Sequence, residues 1–118
     1  MMEFSIEFYE SAAGRCPVRE FLDELKASDP DDFAAIMAGL AKLCNRQYHR
    51  PPLSKPVGDG LFELRHVGKL NTRVLYFFMK GRRIVAAHGI RNKAQEIAPR
   101  DRAVALERMK DWLARHTT

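Results

Sequence analysis

The residues best suited to chemistry lie in one basic stretch, Gly60 to Lys93, which reads GLFELRHVGKLNTRVLYFFMKGRRIVAAHGIRNK. Glu63 is the one carboxylate in this stretch, whereas its basic side chains include Arg65, His66, Arg73, Arg82, Arg83, His88, Arg91 and Lys93. A guanidinium binds phosphate oxygens through two parallel hydrogen bonds and neutralises charge that develops on them. The stretch therefore favours contact with a phosphodiester.

Several other chemistries are not supported by the sequence. It contains no GxSxG, Walker A, GxGxxG or HExxH motif, and its four histidines lack metal-ligand spacing. A metal-dependent nuclease needs converging carboxylates, which the basic half does not offer, so we expect neither a metal nor another cofactor. Metal-free RNA cleavage also needs a group that activates the 2′-hydroxyl and one that protonates the leaving oxygen. His66, His88 and Lys93 are the candidates.

Each of these residues also has a purely structural interpretation. Arg65 and Glu63 are two residues apart in one strand, so they share a face and could form an ordinary ion pair with each other. Arg73 begins the most apolar strand and could extend its head group to solvent. Arg82 and Arg83 flank a turn, and histidines are more often structural than catalytic.

The charge is distributed unevenly along the chain. The net charge is +5, but residues 1–60 hold 7 Lys or Arg against 10 Asp or Glu, and residues 61–118 hold 13 against 5. The second half therefore carries the basic character, which indicates a surface for nucleic acid, an acidic membrane or an acidic partner. A solvated basic surface is the alternative.

The 118 residues predict one domain, 1–118, of the α+β class. Alternation of Phe4, Ile6 and Phe8 predicts a first strand. Pro17 and Asp29-Pro30 predict the starts of two antiparallel helices. A loop is expected over 45–60, strands over 61–67, 72–79 and 83–89, and a helix from Pro99. The expected architecture is a small curved, mainly antiparallel sheet with the helical pair on one side and the last helix at its edge.

Cysteine usage and the N-terminus favour a cytoplasmic location. Cys16 and Cys44 fit no metal or CxxC spacing and suggest reduced thiols, with a disulfide as the alternative. The opening MMEFSIEFYE is acidic where a signal peptide is basic and then apolar. The longest run of apolar or glycine residues, Phe33 to Ala41, is too short to span a bilayer.

Taken together, these segments resemble the RelE/ParE toxin superfamily, and within it the HigB-like, phage-derived branch. That branch has an L-[FW]-E-L-R strand, then R-V-L-Y-F, then I-V-L-L-H-G-F, a basic stretch with Lys and Gln, a Pro and a helix. The corresponding segments here are Leu61–Arg65, Arg73–Phe77, Ile84–Ile90, Arg91–Gln95, Pro99 and the helix from Arg100. This chain has one lysine, Lys93, where the branch commonly has two.

The resemblance implies the toxin of a type II toxin–antitoxin pair. Such a toxin is a metal-independent endoribonuclease that cuts mRNA on the ribosome and so inhibits translation. Its implied partners are the ribosome with its mRNA and an antitoxin of the helix-turn-helix type, with DNA contacted only through the antitoxin complex and no membrane contact. By position, Arg65, Arg73 and Lys93 are the implied catalytic residues. Arg91 lies where the family has a further basic residue, and we expect it to bind RNA together with His66, Arg83 and His88.

Two other functions share these features. A ParE-like poison of DNA gyrase has the same fold without the nuclease residues. A catalytically inactive toxin homologue would serve as an antitoxin-binding module. Arg65, Arg73 and Lys93 facing one groove would favour the nuclease. We expect Arg65 and Arg73 to share a face, although a one-residue slip in the intervening turn would separate them.

We predict that binding to RNA or ribosomes depends strongly on salt. The basic half should release counterions in proportion to the phosphates that it contacts. Affinity measured at low and moderate salt should therefore fall steeply. An affinity that stays level across this range would argue against a polyanion-binding surface.

Overall fold

The computed structural model describes residues 3–116. Their α-helices are α1 Pro17–Ser28, α2 Pro30–Lys42 and α3 Pro99–His116, and a 3-10 helix covers Arg46–Tyr48. The strands are β1 Ser5–Phe8, β2 Ser54–Gly58, β3 Leu61–Val67, β4 Asn71–Met79 and β5 Arg83–Asn92. The predicted α+β class is confirmed.

The five strands form one mixed sheet in the order β1-β5-β4-β3-β2. β1 pairs with β5 in parallel, and the other neighbours are antiparallel. β4 is the middle strand, and its residues from Asn71 to Phe77 are buried. This position confirms the prediction made from the continuous apolar run of Val74 to Met79.

The helix starts follow the predicted chemistry. Pro17 and Pro30 each open a helix, where a missing backbone N–H costs nothing because that group has no partner within the helix. The Asp29 carboxylate accepts a hydrogen bond from the backbone N–H of Asp32 at 3.1 Å and so caps α2. The two helices form the expected pair against the sheet.

The helices cover both faces of the sheet. On one face, α1 and α2 pack on β-strand residues that include Leu64, Val74 and Tyr76. On the other, Ala105 and Trp112 of α3 pack on a second set of strand residues, Leu61, Leu75, Phe77, Val85 and Ala87. The prediction that the last helix lies at the edge was wrong. Because β4 and β5 are apolar on both faces, both faces of the sheet must be packed against helices.

The segment 45–60 was also predicted incorrectly as a loop. It contains the 3-10 helix and β2, which pairs with β3 at the edge of the sheet. Pro56 lies within this strand, and an edge strand tolerates proline because one side of its backbone needs no ladder partner. β4 and β5 also extend beyond their predicted ends, β5 as far as Asn92.

A β-bulge in β5 decides which side chains face which layer. Leu75 pairs with His88 and Tyr76 pairs with Ala86, which leaves Ala87 as the extra residue. Beyond the bulge, His88 and Ile90 face α3, whereas Arg91 faces the helical pair. Without the extra residue these assignments would be exchanged.

Both cysteines are free thiols, with Cys44 buried and Cys16 partly exposed. Among residues 3–116, we find no helix with the length and apolar character needed to cross a membrane.

We predict that Gly89→Ala destabilises the fold by about 1–3 kcal/mol, a usual cost of forcing extra volume into a packed core. A Cβ on Gly89 would lie 2.4 Å from ring atoms of Phe21, where α1 crosses β5. Urea denaturation measures the change. In a Phe21→Ala background the ring is absent, so the same substitution should cost less. An equal cost in both backgrounds would contradict the steric explanation.

Candidate functional site

The predicted pair of arginines occupies one face of the sheet. Arg65 in β3 and Arg73 in β4 are directly opposite each other in the antiparallel register. Both side chains lie on the face that α3 covers, because they alternate with Leu64 and Val74 on the opposite face. The prediction that they share a face is therefore confirmed.

A buried carboxylate lies between three cations at this position. Glu63 is 1% exposed, and its Oε1 accepts a hydrogen bond from Arg65 Nε at 2.8 Å. Arg73 Nε is 4.0 Å from the same oxygen, and Lys55 Nζ is 3.9 Å from Oε2. The ion pair between Arg65 and Glu63 that the alternation suggested is present. One carboxylate is thus the shared counter-charge of three positive groups.

Arg73 is enclosed completely. Its side chain is 0% exposed, and its Nε has no hydrogen-bond partner in the part of the chain that the structure describes. Burial lowers the pKa of Arg73, and the nearby Glu63 carboxylate opposes that effect. The alternative interpretation of Arg73, in which its head group extends to solvent, does not hold, because the chain after β5 lies over it.

The end of β5 and the chain after it supply acceptors to both guanidinium groups. Arg73 Nη2 donates to Asn92 Oδ1 at 2.8 Å and to the Ala94 carbonyl at 3.3 Å. The Gln95 carbonyl accepts from Arg65 Nη2 at 2.9 Å and from Arg73 Nη1 at 3.4 Å. Two arginines therefore converge on a single main-chain oxygen.

A cleft of about 370 Å³ opens beside this arrangement. Its walls are formed by Lys55, Pro56, Val57, Glu63, Arg65, Gln95, Glu96, Ile97 and Arg102. Arg65 reaches it with 22% of its side chain exposed. Arg102 binds the Val57 carbonyl and the Asp59 carboxylate, which fixes α3 to the β2–β3 turn. The cleft combines a basic wall with main-chain groups of the segment after β5.

Lys93, the third predicted catalytic residue, follows β5 directly and is exposed. No ion pair involves its ammonium group within residues 3–116. It lies in the same segment as Ala94 and Gln95, whose carbonyls hold the arginines. Lys93 lies beside the arginine pair's acceptors along the chain but does not line the cleft. Of the three predicted catalytic residues only Arg65 lines it, so the condition that all three face one groove is not met.

His66 and Arg91 lie on the opposite face of the sheet, against α2. Arg91 Nη2 binds Asp29 Oδ2 at 2.8 Å and Asp32 Oδ2 at 3.0 Å. His66 Nε2 is 3.0 Å from Asp32 Oδ1. Thr72 lies between them, paired with His66 on one side and with Arg91 on the other. Its buried hydroxyl has no hydrogen-bond partner among the described residues 3–116. These residues join α2 to the sheet and do not share the cleft with Arg65.

His88 shares the face of the arginine pair, but both of its ring nitrogens are occupied. Nε2 is 2.8 Å from Asp101 Oδ1 of α3, and Nδ1 is 3.2 Å from Nη1 of Arg108. Because Arg108 is a donor, Nδ1 accepts and Nε2 carries the proton. The ring thus links β5 to α3.

Arg83 lies at the far end of β5, beside β1. It makes two hydrogen bonds to the Glu7 carboxylate, Nε to Oε2 at 2.5 Å and Nη2 to Oε1 at 2.8 Å. The hydrogen bond from Arg83 is the main cause of the lowered pKa of Glu7. The structure thus separates Arg83 from the Arg65–Arg73 pair.

Several residues of this region were not predicted from the sequence. Lys55 was hidden in the segment predicted as a loop, and Arg102 had no distinguishing pattern. Asn71 and Asn92 hold the segment after β5: Asn71 Nδ2 donates to the Ala94 carbonyl at 2.8 Å, and Asn92 Oδ1 accepts from the Ala94 N–H at 3.1 Å. Two asparagines that pair across neighbouring strand ends were the available signal.

We predict that Asp32 stabilises the fold at neutral pH and loses this effect in acid. Burial would raise the pKa of Asp32, but hydrogen bonds from Arg91 and His66 outweigh it and hold the pKa below its ordinary value of 3.8. Because the pKa is lower in the folded state, the stabilisation is complete above the unfolded value and disappears as pH falls through the folded one.

Asp32→Asn should therefore cost about 1–3 kcal/mol at neutral pH, and the difference from wild type should shrink below about pH 4. Unfolding by urea over this pH range measures it. Asp31→Asn is the matched control, because Asp31 is exposed in the same helical turn. A difference for Asp32→Asn that does not change with pH would contradict the prediction.

The sequence also matches the model of a known protein family. The sequence model described as "Phage derived protein Gp49-like (DUF891)" matches residues 20–110. A search of curated proteins gave no match. The matched residues run from α1 to within α3 and include every strand except β1. The chain therefore belongs to the phage-derived Gp49-like family, a family of toxin-like modules of the RelE/HigB type.

Proposed function

We propose that this protein is the toxin of a type II toxin–antitoxin system, of the HigB-like branch, and that it cleaves mRNA on the ribosome without a metal ion. One observation carries the proposal: Arg65 and Arg73 lie opposite each other beside a cleft whose wall also holds Lys55. Three cations share one carboxylate there, so the region retains positive charge for a phosphodiester.

In the proposed reaction, the 2′-oxygen of a ribose attacks the adjacent phosphorus. A bond forms between them as the bond to the 5′-oxygen of the next nucleotide breaks, and the proton lost from the 2′-hydroxyl is balanced by one delivered to the leaving oxygen. Charge grows on the non-bridging oxygens during the attack. A fixed guanidinium therefore stabilises the transition state more than the ground state.

We assign different parts to the two arginines. Arg65 reaches the cleft and is the proposed direct contact to the phosphate. Arg73 is enclosed behind it and is held by Asn92 and the carbonyls of Ala94 and Gln95. The exposed Lys93 is a proposed proton donor to the leaving oxygen. The neighbours of His66 and His88 argue against either as the base, so the base stays unassigned.

The proposed partners follow from the same surface. Ribosomal RNA and mRNA would meet the basic cleft, and an antitoxin would neutralise it with an acidic segment. We propose a helix-turn-helix antitoxin, with contact to DNA only through the antitoxin complex, and a cytoplasmic site of action.

A second candidate is a catalytically inactive homologue that serves as an antitoxin-binding module. The observation that favours it is internal pairing: Arg65, Arg73 and Arg91 are all bonded to groups of this chain. A gyrase poison would instead act independently of translation. Inducible expression followed by mapping of mRNA 5′ ends separates the nuclease from the other two candidates, because only the nuclease produces new ends that require translation.

We predict that Arg65→Ala lowers mRNA cleavage by roughly 100-fold, the usual cost of losing one transition-state donor. Arg65→Lys should restore only part of it, because an ammonium cannot make the two-pronged contact. Lys80→Ala is the control, since Lys80 is exposed in the turn at the other end of β4. Cleavage by folded Arg65→Ala protein at the wild-type rate would refute the assignment.

A further inference from the structure

The oxygen that joins the two arginines belongs to the protein itself. The Gln95 carbonyl accepts from Nη2 of Arg65 and from Nη1 of Arg73, at 2.9 and 3.4 Å. A main-chain carbonyl carries only a partial negative charge, whereas the two guanidinium groups are fully charged. The carbonyl therefore occupies the position that suits a phosphate oxygen.

Carboxylates balance only part of the positive charge around this oxygen. Glu63 is the carboxylate paired with Lys55, Arg65 and Arg73, and it is 1% exposed. Asp101 also attracts Arg73, but its Oδ1 is hydrogen-bonded to His88. Glu96 also lines the cleft, but no ion pair joins it to these cations among residues 3–116. Within residues 3–116, the buried Nε of Arg73 has no hydrogen-bond partner. A second anion would complete the pairing.

The segment that supplies the carbonyl, residues 93–96, lies outside the helices and strands and can separate from the sheet. The chain has no helix or strand between Asn92 and Pro99, and residues 93–96 are exposed. Apart from the arginines, the side chains of Asn71 and Asn92 hold it through the Ala94 carbonyl and N–H. Five hydrogen bonds hold Ala94 and Gln95, and three of them come from the arginines. All five involve side chains of the sheet, and among residues 3–116 no backbone–backbone hydrogen bond holds residues 93–96. The segment can therefore open without breaking a helix or a strand.

We propose that Arg65 and Arg73 form a two-arginine phosphate site that the Gln95 carbonyl closes in the free protein. This inference rests on the proposed function and adds its regulation. A phosphodiester oxygen replaces the carbonyl, residues 93–96 move off the arginines, and Arg73 gains access to the substrate. The exchange is favourable because hydrogen bonds between charged partners are stronger than those to a neutral carbonyl.

The closed state lowers the apparent affinity, because only open molecules bind. Weakening the segment's attachment should therefore raise affinity for RNA. Asn71 offers this test, since it holds the Ala94 carbonyl and makes no hydrogen bond to either arginine. Losing one such hydrogen bond changes an equilibrium by about fivefold.

The probe is a short single-stranded RNA whose 2′-hydroxyl groups are methylated, so that it binds without being cleaved. Asn71→Ala should bind it about fivefold more tightly than wild type. Asn45→Ala is the matched control. Asn45 precedes the 3-10 helix, and its side chain makes no capping hydrogen bond there. Its affinity should equal that of wild type.

Hydrogen exchange on the wild-type protein gives a second measurement that needs no variant. The Ala94 N–H donates to Asn92 Oδ1 at 3.1 Å in the closed state. Adding the methylated RNA should speed exchange at this amide. Unchanged exchange together with unchanged affinity of Asn71→Ala would overturn the closed site.

The Arg65→Ala variant separates this failure from failure of the proposed function. If Arg65→Ala loses RNA affinity while Asn71→Ala binds as wild type does, the site is open from the start and closure is refuted. If Arg65→Ala binds the RNA as well as wild type does, the cleft is not the RNA site. The proposed function and this inference then fall together.

Discussion

The burial of β4 on both faces is the constraint on which the rest of this structure depends. A strand covered by α1 and α2 on one side and by α3 on the other must hide every side chain between Asn71 and Phe77. Apolar residues meet that requirement directly, but Arg73 does not. An isolated buried charge is costly, so its neighbours have to supply a carboxylate and several acceptors. Glu63, Asn92 and the carbonyls after β5 supply them.

This requirement explains the path of the chain after β5. The carbonyls of Ala94 and Gln95 turn toward the sheet because Arg73 and Arg65 need acceptors there. The same turn leaves Lys93 exposed and forms one wall of the cleft. The internal pairing of a buried arginine and the geometry of the candidate site therefore have one physical origin.

In the folded structure, ion pairs between the two halves of the chain neutralise part of its uneven charge. Part of the basic excess of the second half is paired with the acidic first half, through Arg91 with Asp29 and Asp32 and through Arg83 with Glu7. These ion pairs attach the helices and β1 to the sheet. The positive charge that is left at the cleft surrounds Glu63, which serves three cations. The net charge of a sequence half thus overstates how much charge a polyanion would meet.

The sequence by itself determined the α+β class, both helix starts in the helical pair and the central position of β4. Each depends on local chemistry: a proline at a first helical turn, an aspartate cap, or an unbroken apolar run. It led us to expect Arg65 and Arg73 on one face, but the register of the β3–β4 pair, which a one-residue slip in the turn would change, decided that outcome. The sequence did not reveal β2, whose proline and polar residues are acceptable only at a sheet edge.

Tertiary structure alone decided the rest. The bulge at Ala87 sets which face His88 and Arg91 occupy, and no local pattern marks that extra residue. The position of α3 on the second face depends on the need to cover β4 and β5, not on the helix itself. Whether Arg73 is open or enclosed depends on carbonyls 21 and 22 residues away in sequence. Contacts over such separations follow from packing and pairing, which the order of residue types does not specify.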